Sequence, residues 1–141
     1  MHEDFGALIS AVLPPAQAML QDLGGFVPFG AMITKQGEPQ MAGGAGDASQ
    51  WTTEEIIAMY QDGFRDAVKL GFYRAVAICL DVRVTVPGKL EKTDALQIML
   101  EHENGEALGV FLPYEKDFDD EIKYGQMFAT PIEAKVFTQK G

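Results

Sequence analysis

The sequence predicts an α+β fold: a two-layer domain with helices on one face of a mostly antiparallel sheet, in the order α-β-β-α-β-β-β-β. Three observations lead there. Apolar residues recur at helical spacing in two stretches, 5–23 and 56–68. From residue 72 onward, apolar and polar residues alternate with no stretch long enough for a crossover helix, so the late strands must form an antiparallel meander. The chain has 141 residues, of which 47% are hydrophobic and 23% charged, which suits one globular domain, 1–141, with its own core.

The first helix carries Phe5, Leu8, Ile9, Val12, Leu13, Ala16, Met19, Leu20 and Leu23 on one stripe. Pro14 and Pro15 interrupt it but leave the phase intact, so a kinked helix or two helices end to end is expected. Gly24-Gly25 supplies the stop. Phe26 to Lys35 reads as a strand, Gln36-Gly37 as a tight turn, and Glu38 to Ala42 as a short edge strand containing Pro39. Gly43 to Ser49 is a glycine-rich loop and a candidate gate.

Thr52 stands three residues before Glu55, the spacing of a capping box, with Trp51 placed as a hydrophobic staple. Ile56, Ile57, Tyr60, Phe64, Ala67 and Val68 form the buried stripe of the second helix, and Gly71 caps it. Phe72 to Val86 and Asp94 to His102 are strands, and Asn104-Gly105 predicts a type I′ hairpin into Glu106–Tyr114. An acidic loop, Glu115–Glu121, precedes a last strand, Gln126 to Thr138.

Charge narrows the function. Lys and Arg number 11 against 21 Asp and Glu, a net charge of −10. Nucleic acid and anionic membrane surfaces, which both recruit cations, are disfavoured as partners. One cysteine excludes an internal disulfide framework, and with two histidines it leaves too few ligands for a Cys/His zinc site. The acidic N-terminus lacks the positive charge of a signal peptide and no apolar run is long enough to span a bilayer, so the expected location is cytoplasmic.

The local motifs do not converge on chemistry. The Gly43–Ser49 loop lacks the Lys-Ser/Thr ending of a phosphate loop, and no cofactor is expected. Glu101-His102-Glu103 alternates across a strand, so its groups cannot meet at one atom, and a solvated strand end is expected. Glu115, Asp117, Asp119 and Glu121 fail the calcium-loop pattern in both registers, because no Gly stands at position six and no Glu at position twelve. No metal site and no catalytic residue is expected. Cys79, in an apolar run, reads as a small buried hydrophobe.

The one surface that draws attention is a sheet face. Ala75, Ala77, Cys79, Asp81 and Arg83 share one side of the long strand, and Gln97, Met99 and Glu101 are expected beside them from the next strand. An apolar face with a charged border, opposite the helices, predicts an interaction surface and a homodimer through it. The element order alone resembles that of profilin-like and roadblock-type domains, without their C-terminal helix, and the resemblance implies a scaffold or regulatory role with dimerisation through the sheet. The functional expectation is a non-enzymatic protein-interaction or regulatory module, self-associating or taking a basic partner, with an inhibitor- or immunity-type role as one form. The alternative is a small enzyme or ligand binder with a pocket between helix and sheet.

Overall fold

A computed structural model describes residues 2–42 and 50–138. The Gly43–Ser49 loop, the candidate gate, lies outside them. Two helices, α1 (Glu3–Leu23) and α2 (Thr53–Lys69), accompany seven strands: β1 (Phe29–Thr34), β2 (Pro39–Met41), β3 (Tyr73–Thr85), β4 (Lys92–His102), β5 (Ala107–Lys116), β6 (Ile122–Tyr124) and β7 (Phe128–Pro131). All pairings are antiparallel. The sheet runs β2-β1-β3-β4-β5-β6, and β7 joins the edge of β5 beside β6. Class and element order are those expected, with the C-terminal stretch divided into short strands and an irregular tail.

The layering differs. Side chains alternate across β3, and each set meets its own helix. Ala75, Ala77 and Cys79 pack under Phe5, Leu8, Val12, Ala16 and Leu20 of α1, with Ala31, Ile33, Leu96, Ile98 and Leu100. Val76, Ile78 and Leu80 pack on the opposite side with Ile56, Tyr60 and Phe64 of α2. The helices therefore sit on opposite faces, and the sheet is the middle of three layers. The two-layer expectation fails because a short connection constrains which strands neighbour each other, not which face the next helix covers.

Pro14 and Pro15 lie inside one continuous helix, α1. They remove two intrahelical donors, and the buried stripe on either side keeps the helix together. Gly24 caps it with φ 79°, a left-handed conformation that glycine adopts without a Cβ penalty. The capping box of α2 forms as expected: Glu55 N donates to Thr52 Oγ1 at 3.1 Å, and Thr52 N donates to Glu55 Oε1 at 2.8 Å. Gly30 lets α2 approach β1 closely, since a Cβ there would lie 2.9 Å from Phe64 Cζ.

The β4–β5 turn is not the predicted type I′. Only Gly105 has positive φ, 99°, while Asn104 does not. Gly105 N donates to His102 O at 3.0 Å and His102 N to Glu106 O at 2.9 Å, a type I turn followed by a left-handed glycine. Asn104 serves instead through its side chain, accepting from Glu106 N at 2.8 Å.

Candidate functional site

The expected interaction face is divided by the strand register. Val76 pairs with Glu101, Ile78 with Met99 and Leu80 with Gln97, so these β4 residues share the α2 face. Ala75, Ala77 and Cys79 face α1 and are fully buried. Their small side chains are the floor on which α1 rests, so no face is left there for a homodimer. Burial, with a smaller push from Asp81, raises the Cys79 thiol to about 12 and removes it as a nucleophile.

Asp81 stands at the margin of the α1 face and accepts a hydrogen bond from Tyr114 Oη at 2.6 Å. Burial pushes the Asp81 carboxyl up, opposed by the Tyr114 hydrogen bond and reinforced by Asp94. Tyr114 is raised as well, by burial and then by Asp81. Arg83 is exposed, 3.8 Å from Asp94, a loose pair of small energetic weight.

Glu101 and His102 are not solvated, contrary to expectation: each is only 5% exposed. They point to opposite faces and do different work. His102 Nδ1 accepts from Asn104 N at 3.1 Å, which leaves the ring proton on Nε2 to meet Asp4 Oδ2 at 2.9 Å. Arg74 adds a two-pronged contact, Nε to Asp4 Oδ2 at 2.9 Å and Nη2 to Oδ1 at 3.0 Å. Burial alone would raise the Asp4 carboxyl, but the hydrogen bonds from Arg74 and His102 outweigh it and hold the group below the usual range.

His2 completes this knot as the N-cap of α1, its Nδ1 accepting from Asp4 N at 2.9 Å. Donor atoms of His2, Asp4 and His102 lie within 4.8 Å of one another. The two rings stack at 4.0 Å, so their in-plane lone pairs do not meet at one point, and Arg74 would repel a cation. The cluster ties the start of α1 to the start of β3 and the end of β4. Sequence reading missed it because its hydrogen-bonded members lie up to 98 positions apart.

The acidic β5–β6 loop is held by its own backbone: Asp117 Oδ1 accepts from Asp119 N at 2.9 Å and from Glu121 N at 3.0 Å. Phe118 projects from it, fully exposed. This end of the sheet also carries the β3–β4 loop and the exit of α1, which Gln21 joins to the Asp120 carbonyl at 3.0 Å. Leu90 in that loop is fully exposed, and Leu23, the last residue of α1, and Val27 beyond it are 75% and 54% exposed. Three segments thus place four large apolar side chains at one end, which also carries Asp117, Asp119, Asp120 and Glu121.

A groove of about 260 Å³ runs between α2 and the sheet, lined by Met32, Met59, Tyr60, Gly63, Phe64 and Tyr73 among others. No helix among the described residues is long and apolar enough to cross a membrane. No protein-family model, curated protein or solved structure matches the chain.

Proposed function

We propose that the chain is a non-enzymatic protein-interaction module that engages a basic partner through the apolar end of its sheet. One observation carries the reading: Leu23, Val27, Leu90 and Phe118 project into solvent from three segments at that end. Exposed apolar side chains grouped among charges are the usual mark of a contact surface. The acids around Phe118 and the net charge of −10 favour a cationic partner and would steer its approach. An inhibitor- or immunity-type role fits a surface of this kind.

The second reading, a ligand binder with a pocket between helix and sheet, rests on the groove beside α2. Its volume of about 260 Å³ is below the ~300–1,000 Å³ of ordinary small-molecule sites, and its walls offer few polar groups to orient a substrate. The interaction reading is the stronger of the two.

Photo-crosslinking tests it. With benzoylphenylalanine at position 118, the protein is expected to capture a basic protein in its native host. The purified partner should bind wild type with an affinity that falls as salt rises, and Phe118→Ser should weaken it by at least about tenfold. Capture of nothing, of a second copy of the chain, or of a partner indifferent to salt and to Phe118→Ser overturns the proposal.

A further inference from the structure

The segment from 132 to 138 has no regular secondary structure, yet its centre is buried. Three consecutive amides converge on one carboxylate. Lys135 N donates to Glu101 Oε2 at 2.9 Å, while Val136 N and Phe137 N donate to Oε1 at 2.8 and 3.1 Å. The Val136 and Phe137 side chains are 4% and 6% exposed, packed in the cluster that holds Ile78, Leu80, Tyr60 and Phe64. From α2, Arg65 Nη1 donates to the Lys135 carbonyl at 2.6 Å. A buried acceptor for successive backbone donors, sockets for two adjacent apolar side chains and a cation on a carbonyl are together what recognition of a short, bent peptide segment requires.

We infer that the cleft between α2 and β4 is a peptide-docking site, and that residues 132–138 occupy it as a tethered ligand that a segment of the same chemistry can replace. The occupant is defined by the contacts. It bends at the positions of 135–137 so that three successive N–H groups point the same way, which admits no proline there, and it carries two adjacent large apolar residues.

The way the segment is held makes exchange feasible. Among the described residues, its main chain joins the sheet only where it begins, with Ile132 N donating to the Ala107 carbonyl at 3.3 Å. Beyond that point it is fastened by the side chains of Glu101 and Arg65 and by its own two apolar residues, so it can open while the β3–β4–β5 ladder stays intact. Opening bares a carboxylate that has lost three donors and an apolar surface that has lost its cover. Both demand an occupant. The tether favours the chain's own segment through its high effective concentration, and a competitor must overcome that advantage. The cleft lies on the α2 face, apart from the exposed end assigned to the basic partner, so the two sites are separable by mutation.

Hydrogen exchange on the full chain tests this inference, with the synthetic peptide Ile-Glu-Ala-Lys-Val-Phe-Thr, the sequence of 132–138, as the probe. The Val136 and Phe137 amides are expected to exchange at least about tenfold faster than those of Ile98 and Leu100 in β4, because they open without global unfolding. Added peptide should accelerate them further and saturably, while a peptide with Ser at both apolar positions should not. Glu101→Gln should speed exchange of the segment and remove the response to peptide, with β4 protection retained. The wild-type comparison stands alone if that variant does not fold. Exchange of the segment at the β4 rate would make it ordinary core and overturn the inference. So would a segment that opens but ignores the peptide.

Discussion

The two faces of the sheet are closed by different means. On the α1 face a helix of 21 residues lies across Ala31, Ala75, Ala77 and Cys79, and most of that core has no measurable exposure. The small strand residues bring the helix close, and the Asp4–Arg74–His102 knot fastens its first turn. On the α2 face a shorter helix covers β1 and β3, and an irregular segment completes the cover, held by the Glu101 carboxylate, Arg65 and its own two apolar side chains. A groove remains on one flank of α2. The contrast separates stability from adaptability: the first face is one cooperative core, and the second has a cover that can be exchanged.

Five substitutions can break or sharpen that contrast. The largest effect is expected from Leu8→Ala, which empties a site with 0% exposure and should cost ~2–5 kcal/mol by chemical denaturation. Phe137→Ala should cost less than half as much globally, because the loss is limited to the free energy of the segment that carries it. Equal losses at the two sites would make the faces energetically alike.

Asp4→Asn should come next, and its effect should depend on pH. The Asp4 carboxyl is held low in the folded state, so its contribution is fully present above the unfolded value of about 3.9 and is lost as pH falls through the lower folded value. The stability gap between wild type and Asp4→Asn should therefore be wide at neutral pH and close in acid. A gap independent of pH would show that the carboxylate charge is not what fastens α1.

Thr52→Ala removes the acceptor for Glu55 N at the start of α2 and should lower stability by ~1 kcal/mol. An unchanged denaturation midpoint would place the energetic start of the helix elsewhere. The smallest expected effect has the opposite sign. Gly63 lies inside α2, and a Cβ built there meets nothing within 4 Å. Gly63→Ala should therefore stabilise the protein by ~0.5–1 kcal/mol, read as a higher melting temperature. A lower one would mean that the groove wall is tighter than its geometry indicates.

Local chemistry alone determined the element order, the α2 capping box, the left-handed stop at Gly24 and the antiparallel meander. Each of these depends on neighbours within a turn of helix or across one hairpin, where spacing and residue type act directly. Tertiary structure decided which face each helix covers. Alternation in β3 announces two sets of side chains but not whether their cover comes from the same chain or another. The row Ala75, Ala77 and Cys79 therefore reads equally as a dimer surface and as a helix seat, and α1 took it. Register decided the rest, sending Gln97, Met99 and Glu101 to the far face. Asp4 with Arg74, and Glu101 with the 135–137 amides, were invisible for the same physical reason: hydrogen bonds between groups 70 and 34–36 residues apart leave no periodic trace in a sequence, and only the closed sheet brings them together.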